Sequence, residues 1–220
     1  VFTPQQLLSY IKGQNPIFPA GTGVAYSNSN TVALGMVIEQ RTGKPIAELL
    51  QKQISTPLGL GQTSFPGTSN ALPSPHFEGV TIQGDPSDTL KNATDWNPAW
   101  TFTAGAMVST LDDLRRWAVA LGTGEGLVSP EMQKQRVASM ISNVPPNAPA
   151  RTYALGFGVT NGWIGHTGEL PGFNTSIQYD PGTRTAVVVM VNSDIPAPGP
   201  DGRPINPAPT ISDELIASLR

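Results

Sequence analysis

The feature that most constrains this chain lies in its last third. YALGFGV, GWIGHTG, FNTSIQYD and TAVVVMVNS follow one another closely, and Asp180-Pro181-Gly182-Thr183 forms a turn between the last two. Connections this short join antiparallel neighbours, because a parallel pair needs a crossover of a dozen or more residues. The stretch therefore predicts an antiparallel meander of three or four strands. After a proline-rich loop over 196–209, ISDELIASLR has the pattern of an amphipathic closing helix that would cover one face of the sheet.

Upstream of VPPNAPA (144–150), a proline-rich connector, the texture is helical. Thr3, Pro4 and Gln6 have the spacing of a capping box with proline at the first helical position, and Leu7, Leu8 and Ile11 share one face, so a short helix is expected over about 4–12. Ser9 falls in its middle. Past the Pro/Gly loop PIFPAGTGVAY, a second helix is expected to bury Val32, Leu34, Met36, Val37 and Ile38 and to stop at Gly43. A third is expected over about 45–53. Residues 61–100 predict loops with short strands. Thr110 with Asp113, and Ser129-Pro130-Glu131, mark two further helix starts. The fold class is α+β: an antiparallel sheet flanked by helices, plus a partial helical subdomain. Residues 1–144 form the mainly helical and loop part and 145–220 the sheet with its C-terminal helix, together one domain.

Thirteen Lys and Arg against sixteen Asp and Glu leave a net charge of -3, which gives nucleic acid or an anionic membrane no electrostatic hold. There is no cysteine, so disulfides, thiolate metal sites and a cysteine nucleophile are excluded. His76 and His166, far apart in sequence, make no metal motif, and no stretch approaches the ~18 apolar residues of a membrane span.

Two stretches hold residues suited to chemistry. Tyr26-Ser27-Asn28 joins a glycine-rich loop to a helix N-terminus. A tyrosine hydroxyl ordinarily ionises near pH 10 and serves as a base when cations stand close, and an asparagine amide can donate to a substrate carbonyl. The plainer reading has Tyr26 packing on the loop and Ser27 or Asn28 capping the helix. His166-Thr167-Gly168 ends a predicted strand. Gly168 would admit a substrate backbone to the strand edge, Thr167 could bind a carboxylate, His166 could carry charge, and the backbone N–H of Glu169 could point at an oxyanion. A strand end with a turn accounts for the same residues.

Taken together, PAGTGVAYSNSNTVALGMVIEQRTG, TAGAMVSTLDDL, YALGFGV and GHTGELPGFNT resemble the serine β-lactamase-like family, in particular its DD-carboxypeptidase and class C β-lactamase branch. The similarity covers nearly the whole chain and keeps the motif order. The Tyr-x-Asn motif and a His-Thr-Gly form of the Lys-Thr-Gly motif look more like the DD-peptidase side. By that resemblance Tyr26 is the general base of acylation and Asn28 a ligand of the substrate amide. His166, Thr167 and Gly168 form the wall that binds the substrate carboxylate, and Glu169 supplies an oxyanion-hole N–H from its backbone, its side chain being a solvated loop charge. Ala104-Gly105-Ala106 matches a segment near the pocket, with Trp96 or Trp100 as a possible wall. The resemblance implies peptidoglycan stem peptides or β-lactams as substrates, no metal or organic cofactor, and an extracytoplasmic location. An esterase or D-aminopeptidase can be built on the same site, and a peptide-binding module that lost its serine is the alternative from another class.

The family's first motif, a serine with a lysine one turn later on a buried helix, has one formal match: Ser9 and Lys12 in LLSYIKGQ. That helix has a single apolar stripe beside Gln5, Gln6 and Gln14, the pattern of a surface helix, and it directly precedes the tyrosine motif where the family has an ordinary helix. Ser9 is therefore expected not to be the nucleophile. The expectation is a chain lacking the N-terminal part that carries that serine and the first strands of the sheet, inactive alone and exposing a strand edge that invites pairing.

Overall fold

A computed structural model describes residues 2–84, 87–141, 147, 151–199 and 201–219. The VPPNAPA connector lies outside the described residues, Asn147 apart.

Helix α1 (Pro4–Ser9) is capped as its sequence predicts: the Gln6 N–H donates to Thr3 Oγ1 at 3.2 Å and the Thr3 N–H to Gln6 Oε1 at 2.8 Å. It stops sooner than expected, at Ser9. Residues 10–13 wind on as i to i+3 turns, including Lys12 N–H to Ser9 O at 3.2 Å, and end at Gly13 with φ 80°.

Helix α2 (Asn28–Thr42) starts at the Ser27 cap and ends at Gly43 in the left-handed region, φ 66°. Its burial is narrower than expected. Val32 is buried and Met36 and Ile38 pack half-buried beside it, but Leu34 is 58% and Val37 52% exposed. This helix is apolar on several sides, while its neighbours, α1, α3 (Ile46–Leu50) and the 3₁₀ segment Pro98–Ala104, leave the Leu34 and Val37 side uncovered. Helix α3 runs through a π-helical turn, Gln51–Ser55, into the single turn α4 (Thr56–Leu58). The long loop region holds only the small antiparallel pair β1 (Val80–Thr81) and β2 (Lys91–Asn92).

The meander is real and has five strands: β3 (Arg151–Tyr153), β4 (Gly158–Thr160), β5 (Trp163–Leu170), β6 (Phe173–Asp180) and β7 (Thr185–Val191), paired in chain order and all antiparallel. Helix α5 (Leu111–Thr123) covers one face, where Leu121 and Trp117 meet Ile164, Phe157 and Ala154. Gly122 lets α5 approach closely, because a Cβ there would lie 2.1 Å from the Tyr179 ring. Helix α6 (Pro130–Ala138) follows, with Ser129 as its cap. The closing helix α7 (Pro207–Ser218) covers the other face, its Ala208 and Ile216 packing with Trp163, Val187, Val189 and Val191. It begins inside the expected proline-rich loop, since prolines in a first turn forgo N–H groups that have no helical partner there. Helix α5 precedes residue 144 in sequence yet packs on β5, β6 and β7, so the sheet layer draws residues from both sides of that point.

Candidate active site

Alternation along β5 decides which side chains can meet. Ile164 turns toward α5 and Trp163 toward α7, so His166 follows the first parity while Thr167 and Glu169 follow the second. The ladder with β4 ends at the Gly158–Gly165 pair, so β5 has no β4 partner from His166 to Leu170. That free length of strand edge begins at the histidine.

The histidine meets the tyrosine motif there. The rings of Tyr26 and His166 lie 5.8 Å apart, and Tyr153 at the end of β3 stands edge-on to both, at 5.7 Å from each. Tyr26, just before the Ser27 cap, donates its hydroxyl hydrogen to Asn28 Oδ1 at 2.9 Å. This leaves the Asn28 NH₂ to point elsewhere. Tyr26 itself is 58% exposed. Tyr153 Oη and His166 Nε2 are 2.9 Å apart, and His166 Nδ1 lies 2.6 Å from the Thr167 carbonyl oxygen. Burial, and then the neighbouring Tyr26, push the Tyr153 phenol above its ordinary ionisation range.

The structure thus brings Tyr26, Asn28 and His166 together and adds Tyr153, to which the sequence reading assigned no chemistry. No spacing rule singles Tyr153 out, because its place depends on the short β3–β4 hairpin folding back beside β5. Thr167, Gly168 and Glu169 continue along the free part of β5, and the Gly168 carbonyl accepts from Asn174 Nδ2 at 3.3 Å. The Glu169 side chain is not a loop charge: it stands on β5 and accepts from Asn206 Nδ2, at the α7 cap, at 2.7 Å.

Two supports hold the site. The first is the 3₁₀ segment, locked to α2 by Thr103 Oγ1 donating to Thr31 O at 2.6 Å and by the bare face of Gly35. Within it, Phe102 is buried with φ 46° and ψ -127°, a left-handed backbone that a bulky residue adopts only where its surroundings enforce it. Ala106, just beyond, is buried, and Trp96 and Trp100 are each 43% exposed on the flank of this segment. The second is Asp194, a buried carboxylate that accepts from Gly172 N at 2.8 Å, from Thr81 Oγ1 at 3.1 Å and from Gln83 Nε2. It ties the turn after β5 to β1 and to the chain leaving β7.

Ser9 and Lys12 stand apart from this cluster. Ser9 is exposed at the last position of α1, a surface helix with no buried residue, and its hydroxyl is taken up in a bond to Gln6 O at 2.7 Å, while Lys12 lies past the helix end. Among the described residues no three His, Asp or Glu side chains converge as a metal-ligand set, and no helix is long and apolar enough to cross a membrane.

The sequence model of the family described as Beta-lactamase matches residues 2–208. A D-aminopeptidase of Gluconobacter oxydans is 28% identical over 180 residues, which is 80% of this chain but 32% of that protein. A D-stereospecific amidohydrolase from Streptomyces sp. superimposes with a TM-score of 0.78 at 28% identity, over 88% of this chain and 57% of that one. The D-amino acid amidase from Ochrobactrum anthropi SV3, crystallised with L-phenylalanine amide, does so with 0.73 at 26% identity, over 87% and 57%. The chain spans about a third of the length of the curated relative and somewhat over half of the solved structures. With a family match across nearly all of its length and the Tyr-x-Asn and His-Thr-Gly stretches side by side in space, this chain belongs to the Beta-lactamase family of serine hydrolase-like folds.

Proposed function

We propose that this chain supplies the tyrosine, asparagine and His-Thr-Gly walls of a serine acyl-transfer site that hydrolyses amides of D-amino acids, with a nucleophile other than Ser9. The observation that carries the reading is the meeting of Tyr26 and Asn28 with His166 at the start of the free β5 edge. In the proposed reaction Tyr26 acts as its phenolate, having given up the hydroxyl bond to Asn28: the serine oxygen attacks the substrate carbonyl while Tyr26 receives the serine proton and passes it to the leaving amine. The Asn28 NH₂ holds the substrate amide, and the Glu169 backbone N–H steadies the tetrahedral oxyanion. Water then releases the acyl group and restores the serine. The free β5 edge suits an extended substrate, with Gly168 admitting its backbone.

D-aminopeptidase or amidase action is preferred to DD-carboxypeptidase or β-lactamase action because the relatives above are named a D-aminopeptidase, a D-stereospecific amidohydrolase and a D-amino acid amidase. Peptidoglycan stem peptides, which carry D-residues, fit the same edge, and with them an extracytoplasmic location. A peptide-binding module without chemistry is the second reading, which the free β5 edge would serve by itself, since an extended peptide can add to it as a strand.

Hydrolysis of D-phenylalanine amide, a D-Ala-D-Ala peptide, a β-lactam and a simple ester by the full-length protein tests the assignment. Preference for the amide supports it, preference for the D-Ala-D-Ala peptide or the β-lactam redirects it within the family, and turnover of none favours the binding module.

A further inference from the structure

His166 is held at both ring nitrogens, and the two partners are not equivalent. The Thr167 carbonyl oxygen, 2.6 Å from Nδ1, can only accept, so Nδ1 carries a proton. In the neutral imidazole Nε2 is then a bare lone pair. The hydroxyl 2.9 Å away on Tyr153 must be the donor to it. Tyr153 is suited to the task, since burial and the adjacent Tyr26 keep its phenol protonated beyond the ordinary range. It also touches the catalytic side of the cluster, its ring edge-on to Tyr26 at 5.7 Å.

We propose that Tyr153 is the positioning residue of the site: its hydroxyl, donating to His166 Nε2, selects the Nδ1–H tautomer and fixes the imidazole plane against Tyr26. This deepens the acyl-transfer reading above and rests on it for its catalytic consequence, but not for its structural content. Without the Tyr153 hydroxyl, Nε2 loses its donor and only the Thr167 carbonyl still holds Nδ1–H, so the commoner Nε2–H form gains population at the expense of that bond. A substrate group arriving at the β5 edge would then meet a ring of different orientation and opposite hydrogen-bond pattern. Tyr153 need not touch the substrate to have this effect.

Long-range ¹H–¹⁵N spectra of the ¹⁵N-labelled chain read the tautomer directly, taken at about pH 8.5, alkaline of the ordinary histidine range. The chain has only two histidines, and exposed His76, whose Nδ1 lies 3.2 Å from Pro73 O, is the internal control. The unmodified protein is expected to show His166 with a pyrrole-like Nδ1 and a pyridine-like Nε2. In Tyr153→Phe that pattern should collapse toward the Nε2–H form or an average, with the His76 signals unmoved. An Nε2–H tautomer in the unmodified protein overturns the proposal, whether or not the variant folds. So does an unchanged Nδ1–H pattern in a folded Tyr153→Phe. In the full-length protein the same substitution is expected to lower kcat/KM for D-phenylalanine amide about five- to tenfold, the size of one lost neutral hydrogen bond. A tautomer switch in a protein that turns over none of the substrates leaves the positioning role standing and removes the acyl-transfer reading, so the two failures are distinguishable.

Discussion

Tyr26 and Tyr153 are two tyrosines of one cluster with different surroundings. Tyr26 is exposed and engages Asn28, whereas Tyr153 is partly buried, faces His166 and has its ionisation pushed upward, first by burial and then by Tyr26. The sign of the linkage follows. A phenol whose native pKa exceeds its unfolded value of about 10 contributes stability that is present in full below pH 10 and is lost as pH rises through the native value. Comparing the alkaline absorbance titrations of the parent and Tyr153→Phe should therefore show a component ionising later than an ordinary phenol in the parent that the substitution removes. A titration in which the late component survives the substitution assigns it to another ring. At this scale Tyr26, Asn28 and His166 were legible in the sequence because each sits in a short recognisable stretch. Tyr153 was not, because its role comes from a hairpin bringing it beside a strand that follows it.

Helix α2 positions Tyr26 and Asn28, and its own position depends on one glycine. A Cβ on Gly35 would lie 2.5 Å from Thr103 Oγ1 and 2.7 Å from Phe102 Cε1. Neither atom can swing aside, since Thr103 is bonded to the Thr31 carbonyl and Phe102 is buried on a left-handed backbone. Replacing a helical glycine by alanine ordinarily gains about 1 kcal/mol, while overpacking of this kind costs about 1–3 kcal/mol. The steric cost wins: Gly35→Ala is expected to lower Tm by a few degrees in thermal denaturation, and a rise in Tm would mean that the 3₁₀ segment yields easily. Capping and turn chemistry made most elements readable, as with the Thr3 capping box, the Ser129 cap and the Gly43 stop. The faces of α2 were not. An all-round apolar helix gives no periodic signal for which side its neighbours cover, so Leu34 and Val37 were assigned to a core from which they stand out.

Across the whole molecule, the five-stranded sheet carries α5 on one face and α7 on the other, with Tyr26, just before α2, brought against the middle of β5 at His166. The meander, its sandwiching helix and the family resemblance were all available from residue order. The contribution of α5 to the sheet was not, because that helix precedes the proline-rich connector and only tertiary packing assigns it to the layer. Asp194 shows the same limit, since nothing near it in sequence announces a carboxylate that receives Gly172, Thr81 and Gln83 from three parts of the chain. The central functional claim is that Tyr26 acts in acyl transfer while Ser9, for all its S-x-x-K spacing, does not. Paired substitutions in the full-length protein, assayed on its best amide substrate, test it most directly. Ser9→Ala is expected to keep kcat within about twofold of the parent, as a surface change should, and Tyr26→Phe to lose about 10²–10⁴-fold, the worth of a positioned proton carrier. Loss of activity in Ser9→Ala, or full activity in Tyr26→Phe, would contradict the account.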